Sequence, residues 1–440
     1  MNWKDRPILY SKAPILFRLL LFFIWGGLAG CAVPQSSSEA PQAVPEAGLR
    51  QPFSLAEQQP PPPDIQSVRL HPVGSPGAPP ILLLNTSEQL ILTFDDLSRQ
   101  NRQFRVEMVH YSRSWHPSPL SPSAYLDGFS YSYIQESNQS FSRNPPYRRL
   151  EYRFPNERMA PSASGNYLLR VYDHQGNNLL FSMPFFVTEK EGDLQMRVET
   201  LFAQRTDGQV LHQLFSTYRY PGFVEFPRFD LSIQYVQNQF WGRSRAAGAP
   251  STSAPGQVSG YLMQDEAFPA NYASRLLDIR SFEADGRQIM EYRPDEHPPA
   301  LLLRKDLQYL DSRAYPASTP DPTATDRNAR YARVHFSLET ADSVSPDDDL
   351  YVVGDFNNWM ISPDNAMRYD ASTGLWKGTA LIKQGVYTYK YIRATRQMVE
   401  DLAPIRRLSP PRQTYRGFVY FKDPDRNFDR LLTVEKIITQ

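Results

Sequence analysis

The sequence of 440 residues predicts a mainly β protein made of tandem β-sandwich domains, which follow a signal peptide and a disordered linker. Proline accounts for 39 residues and interrupts helices. Aromatic residues reach 13%, a composition that favours pleated, half-buried surfaces. Short apolar runs recur at the spacing of sandwich strands, separated by Gly, Ser and Asn turn signals. Because the chain exceeds what one hydrophobic core normally supports, we expect several domains.

The first 30 residues have the features of a lipoprotein signal peptide. Basic residues precede an apolar stretch, and its uninterrupted part, Leu19–Ala29, is shorter than the about 20 residues that span a bilayer. The string that ends this stretch, Leu28, Ala29, Gly30 and Cys31, resembles the lipobox of bacterial lipoproteins. In that family the Cys thiol receives diacylglycerol before cleavage. We therefore predict a signal peptide over 1–30 and lipid attachment at Cys31; the alternative is a simple secretory signal with a chance cysteine.

Residues 31–63 are predicted to be an acylated N-terminus followed by a Pro-rich linker. The segment is rich in Pro, Ser, Gln, Glu and Ala and cannot build a core. As a spacer it would hold a folded body roughly 30 Å or more from the lipid. Cys31 is the single cysteine of the sequence, so no intrachain disulfide can form. By resemblance to lipoprotein sorting, Ala32 after the cysteine indicates the outer membrane.

Three β-rich segments follow the linker, and we predict domain boundaries at 64–189, 190–329 and 330–440. The string "DHQGNN" lies between two apolar runs and predicts a hairpin turn. The small-residue run from Gly242 to Gly260 predicts a surface loop. In the last segment, Tyr387, Tyr389 and Tyr391 alternate with other residues, so we expect all three on one face of a sheet.

Charge and motifs argue against nucleic-acid binding and catalysis. Lys plus Arg and Asp plus Glu both number 47, which leaves no overall basic footprint for nucleic acid. The sequence has no zinc-protease, phosphate-loop, nucleophile-elbow or dinucleotide motif, and we predict no catalytic residue, metal site or cofactor. His110 and His116 lack zinc-ligand spacing and are predicted to be strand and turn residues. Asp95-Asp96 and the Asp347–Asp349 run are predicted to be solvated turns.

Several strings together resemble one family. Phe94-Asp95-Asp96-Leu97, Ser164-Gly165-Asn166-Tyr167 and Lys383-Gln384-Gly385-Val386-Tyr387 carry most of the resemblance, with "QYVQNQFW" and "FVYFKDPDRNFDRLLTVEKI" in consistent order. These matches are similar to the type IX secretion system plug proteins and span residues 80 to 437. The resemblance implies a non-enzymatic subunit that closes the periplasmic mouth of the outer-membrane translocon barrel. It also implies two contacts, one with that barrel protein and one, through the lipid anchor, with the outer membrane at its periplasmic face.

The string "LYVVGDFNNWM" suggests a different function for the last segment. It resembles glycogen-binding modules of the Ig-like, early-set type, in which Trp359 would match a sugar-stacking tryptophan and Lys390 a sugar-bonding lysine. A second stacking aromatic is expected shortly after the lysine, but this region reads Arg393-Ala394-Thr395-Arg396-Gln397-Met398. We therefore expect Trp359 to be packed beneath its turn. A glycan-binding lipoprotein stays the alternative.

Overall fold

A computed structural model of the protein describes residues 53–202, 210–270, 274–308, 328–341, 344–395, 399–402 and 412–439. All of them belong to one compact unit, Pro45–Gln440. The predicted lipobox, Leu28 to Cys31, and most of the predicted linker lie outside the described residues. No helix in the described part of the chain is both long and apolar enough to cross a membrane.

The first sandwich is formed by residues 65–188 and packs two sheets over one apolar core. Leu92, Phe94, Val106, Leu169 and Phe185 point into this core and are fully buried, as period-two alternation requires. One sheet has the order β1 (Ile65–Pro72), β3 (Leu90–Asp96), β8 (Arg148–Phe154), β7 (Glu136–Gln139). The other has the order β2 (Ile81–Leu83), β11 (Leu179–Thr188), β10 (Gly165–Asp173), β4 (Phe104–Tyr111), β6 (Tyr131–Tyr133). A short helix α1 (Pro122–Tyr125) leads into β5 (Leu126–Gly128), which pairs with β9 (Met159–Pro161).

The middle sandwich combines residues 193–269 with residues 414–438. Its core joins Leu214, Tyr235 and Val258 to Tyr415 and Val419. One sheet has the order β12 (Asp193–Phe202), β13 (Val210–Arg219), β17 (Gln257–Tyr261), β16 (Ser251–Ala254), with β18 (Phe268–Pro269) also on β13. The other has the order β15 (Arg245–Ala246), β14 (Leu231–Gln237), β29 (Thr414–Asp423), β30 (Phe428–Ile438). A one-turn helix α2 (Pro227–Asp230) precedes β14.

The third sandwich is formed by residues 275–401. One sheet has the order β19 (Arg275–Asp278), β27 (Val386–Ala394), β24 (Leu350–Gly354), with β28 (Val399–Asp401) on β27. The other has the order β20 (Ile289–Arg293), β21 (Ala300–Leu303), β23 (Tyr331–Glu339), β26 (Leu375–Lys383), β25 (Arg368–Asp370), with β22 (Asp306–Leu307) on β23. Short 3-10 turns follow Gly354 and Ser362.

The predicted fold class is confirmed, since the described residues form tandem β-sandwiches. The string "DHQGNN" connects antiparallel strands β10 and β11, as predicted. Tyr387, Tyr389 and Tyr391 all enter the core of the third sandwich from one face of β27. The prediction of a loop from Gly242 to Gly260 is wrong, because this run contains β15, β16 and most of β17. These strands pair through backbone hydrogen bonds, but their small side chains show no apolar alternation, so the sequence pattern does not reveal them.

Strand pairing crosses the predicted boundary at residue 329. β14 pairs with β29, and β19 pairs with β27, so each pair joins a strand from before the boundary to one from after it. We therefore propose a revised assignment in which the middle domain is discontinuous. It takes its last two strands from residues 414–438, and the third domain begins near Arg275.

Candidate functional site

A buried ion pair joins the first sandwich to the third. Asp95 is the last residue but one of strand β3, Lys383 ends strand β26, and both side chains are fully buried. Lys383 Nζ donates to Asp95 Oδ2 at 2.8 Å, and the Tyr331 hydroxyl donates to the same oxygen at 2.6 Å. Arg149 Nη1 lies 3.4 Å from Asp95 Oδ1. The prediction that Asp95 and Asp96 form a solvated turn is therefore wrong: both are buried, Asp95 at this contact between sandwiches and Asp96 against Arg102 and Arg148 of the first sandwich.

Aromatic rings and hydroxyls complete this cluster, which we call the Asp95 cluster: Asp95, Arg149, Lys383, Tyr331 and Tyr147. The Lys383 ammonium lies 4.3 Å from the centre of the Tyr147 ring, and the Tyr147 hydroxyl donates to the carbonyl of Ala329 at 2.9 Å. Burial lowers the pKa of Lys383, an effect that the charge of Asp95 opposes. Burial also raises the pKa of Tyr331 well above its ordinary value. These groups satisfy one another away from solvent, so the cluster stabilises a contact and offers no open site for a substrate.

A second polar contact joins the first sandwich to strands β29 and β30 of the middle one. Ser164 Oγ donates to Glu189 Oε1 at 2.5 Å and accepts from the backbone N–H of Leu431 at 3.1 Å. The Tyr420 hydroxyl donates to Asn166 Oδ1 at 2.8 Å. Thus the Ser164–Tyr167 string also lies where two sandwiches meet.

Gly165 and His110 show how tightly this contact is packed. Gly165 has φ of 140°, and a Cβ added to it would lie 2.3 Å from His110 Nε2. His110 Nε2 is hydrogen-bonded to the carbonyl of Ser164 at 3.0 Å. Burial lowers the pKa of His110 to about 4, so the ring is neutral at pH 7. His110 is a strand residue and His116 lies in the following turn, as predicted.

Trp359 lies at a contact between the third sandwich, the middle sandwich and the N-terminal end of the described chain. Its side chain is 8% exposed, and its ring centre lies 5.3 Å from that of Phe53 and 5.0 Å from that of Phe240. Trp359 Nε1 donates to Asp355 Oδ1 at 3.0 Å. The other Asp355 oxygen accepts from the Thr388 backbone N–H and hydroxyl at 2.7 and 2.8 Å. Burial raises the pKa of Asp355, against the effect of these hydrogen bonds.

Lys390 is buried on the neighbouring strand. It lies opposite Val353 in the β24–β27 pair and makes an ion pair with Asp401. Burial lowers the pKa of Lys390, and the charge of Asp401 opposes that shift. The structure thus places Trp359 in the turn after β24 and Lys390 on the adjacent strand β27, but it covers both.

Two clefts border this region and are small for a ligand. One, of about 120 Å³, lies against Trp359 and is lined by Phe53, His71 and Met183 among others. The other, of about 270 Å³, lies between β1 and the Asn357-Asn358 turn. Small-molecule sites usually have about 300–1,000 Å³. A glycan therefore finds neither an open tryptophan face nor a large pocket at this place.

Sequence reasoning did not identify the partners of these residues. It noticed the strings that contain Asp95, Ser164 and Lys383 but assigned no contact to them. Period-two alternation places Asp95 and Lys383 on the faces of β3 and β26 opposite the core residues Phe94 and Ile382, so the local pattern gives no sign that either charge is buried. Within the described ranges, no group of three or more His, Cys, Asp or Glu residues is arranged to hold a metal ion.

Comparison with known proteins relates this structure to one family and one crystal structure. Residues 65–189 match a family model described as Type 9 secretion system plug protein 1st domain. A search of curated proteins finds no match. A crystal structure of a hypothetical protein from Parabacteroides merdae shares the fold, with a TM-score of 0.74 and 22% identity, and the match covers 87% of this chain and 99% of that one.

Two further solved structures align over most of the chain with low TM-scores. The structure of manganese lipoxygenase of Gaeumannomyces graminis with a partial zonadhesin of Komagataella pastoris has a TM-score of 0.13 and 8% identity, over 86% of this chain and 93% of that one. The C-terminal domain of the Streptococcus pyogenes antigen I/II-family protein AspA has a TM-score of 0.15 and 7% identity, over 85% and 99%. Scores this low carry no structural conclusion.

Proposed function

Because residues 65–189 match a family model described as Type 9 secretion system plug protein 1st domain, we propose that this chain is a non-enzymatic subunit that closes the periplasmic mouth of the translocon barrel. The match to that domain is the observation that carries the proposal. It relates the chain to type IX secretion and to the cell envelope. Closure of the barrel, attachment by lipid and location at the periplasmic face go beyond this match and are part of the proposal.

The way in which the sandwiches are joined supports occlusion of a channel. The first and third meet at the Asp95–Lys383 ion pair, the first and middle at the Asn166–Tyr420 hydrogen bond, and the middle and third at the Phe240–Trp359 contact. Each contact is buried, so a shift of one sandwich against another would expose unpaired polar groups or an apolar ring. A body that resists such shifts suits a plug, which has to keep its shape while it covers an opening.

A lipid on Cys31 would contribute by holding this body near the barrel. Two or more acyl chains give stable anchoring to a membrane. A tethered plug rebinds as an intramolecular partner, at an effective concentration set by the length of its linker. On this proposal the lipid supplies proximity while the sandwiches supply the contact with the barrel.

Outer-membrane permeability tests the proposal. Deletion of the protein should admit large antibiotics or dyes that the membrane normally excludes, because an uncovered barrel leaks. A second deletion that also removes the barrel should restore exclusion, since the leak passes through the barrel. A glycan-binding lipoprotein would show no such dependence on the barrel. Equal dye entry in wild type and single deletion, in cells shown to assemble the barrel, would contradict plugging.

Recovery of the bound partner gives a second measurement. The full chain, purified from detergent-solubilised outer membranes, should carry the large barrel protein with it. Recovery of polysaccharide in place of a barrel would support the glycan-binding alternative.

A further inference from the structure

The connection between β13 and β14 exposes three phenylalanines within seven residues. Phe223 is 42% exposed, Phe226 62% and Phe229 85%. This segment, residues 220–230, is called the Phe loop below. Three exposed phenylalanines this close together form an apolar surface patch, and such patches mark sites of contact with a protein partner or a membrane.

The Phe loop is ordered by its own contacts, so the exposure is built into the fold. Val224 is buried beneath it, and its backbone N–H donates to the carbonyl of Pro221 at 3.1 Å. The N–H of Phe229 donates to the carbonyl of Phe226 at 2.9 Å. Phe223 packs edge-on against Phe421 with ring centres 5.4 Å apart. Phe223 thus anchors the loop to the protein, and the ordered turn holds Phe226 and Phe229 exposed to solvent.

We propose that the Phe loop inserts its phenylalanines into the interfacial layer of a lipid bilayer. The three charged residues of the loop, Glu225, Arg228 and Asp230, leave a net charge of only −1, so the loop is not built to attract a strongly charged partner. Aromatic and aliphatic side chains on one face of a segment are the usual means of binding to the headgroup and acyl boundary.

The position of the Phe loop allows it to reach the membrane that the predicted lipid would occupy. The loop precedes β14, whereas Phe240 follows β14 and packs against Phe53 with ring centres 4.7 Å apart. The loop and Phe53 therefore lie at opposite ends of a strand that is about 23 Å long. The chain from Cys31 to Phe53 can extend to at most about 75 Å. This step rests on the proposed anchoring, but insertion of the loop itself does not require it.

Labelling at single cysteines tests the insertion. Since Cys31 is the single cysteine, Cys31→Ser yields a cysteine-free full chain. In that background, Phe229→Cys and Phe129→Cys each carry an environment-sensitive fluorophore; Phe129 is the matched control, because it is 67% exposed on the first sandwich. With vesicles of phosphatidylcholine and phosphatidylethanolamine, the label at 229 should shift to the blue and be quenched by lipid-borne nitroxide. The label at 129 should stay water-like.

Further variants make the outcome decisive. Phe226→Ser should raise the lipid concentration at half-maximal shift of the 229 label by about tenfold, because one fewer ring is buried. High salt should change little, because the loop carries a net charge of only −1 and these lipids have no net charge. Any contact of residues 1–30 with the vesicles is common to both labelled chains. A 229 label that stays water-like at all lipid concentrations, or that responds only to solubilised outer-membrane protein, would overturn the proposal, as would an equal shift at 129. The vesicles contain no barrel, so this result is independent of the permeability test.

Discussion

The Asp95 cluster should tolerate loss of its carboxylate poorly. In Asp95→Asn the side chain keeps its size, and the Tyr331 hydroxyl keeps an acceptor, but Lys383 and Arg149 lose their counter-charge. Both side chains are nearly or fully buried, at 0% and 5% exposure. Breaking a buried ion pair by removal of one partner costs about 3–5 kcal/mol. The lowered pKa of Lys383 limits this cost, because the ammonium can shed its proton once the carboxylate has gone.

Loss of the lysine should be better tolerated than loss of the aspartate. In Lys383→Met the carboxylate of Asp95 keeps Arg149 and the Tyr331 hydroxyl as partners. In the double variant Asp95→Asn, Lys383→Met one cation remains, and Arg149 Nε also lies 3.6 Å from Glu151. The double variant should therefore be more stable than the sum of the single effects predicts, with a coupling of about 1–3 kcal/mol.

Hydrogen exchange is the appropriate assay, since a body of several sandwiches need not unfold in one step. In Asp95→Asn, amides of β3 and β26 should lose roughly a hundredfold of protection, which corresponds to about 3 kcal/mol. Amides of β12 and β13 should change little. Asp370→Asn is the matched control, because it removes an ion pair with Lys377 at the surface and should leave protection unchanged. Unchanged protection of β3 and β26 in Asp95→Asn would refute the role assigned to the ion pair, and an equal loss in all three sandwiches would refute its locality.

Four other perturbations follow from the contacts described above. Trp359→Ala should lower stability by about 3–5 kcal/mol in a thermal melt, since it removes a packed ring; an unchanged melt with loss of polysaccharide binding would favour the glycan-binding alternative. The pKa of His110 is about 4 in the folded protein, below its ordinary 6.5, so the unfolded chain binds a proton first as the pH falls. This group should therefore lower the stability of the fold by up to about 3 kcal/mol as the pH falls from 6.5 to 4. In His110→Gln, the urea midpoint should depend less on pH over this range. The same slope in the variant and the wild type would contradict the lowered pKa of His110. Gly165→Ala should lower stability by about 1–3 kcal/mol through backbone strain and by more through the collision of the new Cβ with His110. Gly256→Ala is the control, because Gly256 has a φ of 73° but open space around it, so only the backbone strain applies. Equal urea midpoints for the two variants would show that the collision is absent. Cys31→Ser should abolish labelling by radioactive fatty acid and release the protein from the membrane pellet, and unlabelled wild-type protein would show that the lipobox prediction is wrong.

Much of the fold followed from local patterns in the sequence. Alternation and turn residues predicted the hairpin of β10 and β11 and the common face of Tyr387, Tyr389 and Tyr391. The pairing of β14 with β29 could not be predicted in this way, because period two shows which face of a strand is buried but not which strand lies beside it. Residues of this pair are far apart in the chain: Tyr235 of β14, for example, lies opposite Gly417 of β29.

The candidate site was predicted less well, for a related reason. The sequence drew attention to the strings around Asp95 and Lys383, yet these residues are 288 positions apart, and nothing local indicates that they meet. Asp95 was expected in solvent because carboxylates at strand ends usually are. The burial of Trp359 was expected from the general behaviour of tryptophan, and it now has a specific cause in Phe53 and Phe240.

The return of β29 and β30 to the middle sandwich affects the order in which the protein can mature. Strands β12 to β17 emerge from the ribosome long before Tyr415 and Val419, which complete their core. The first sandwich, by contrast, has all its strands by Thr188. A premature stop codon after the third sandwich would therefore leave two sandwiches assembled and an apolar half-core exposed between them. Such a fragment should be degraded by proteases of its compartment, because the middle sandwich is complete only in a chain that reaches residue 438.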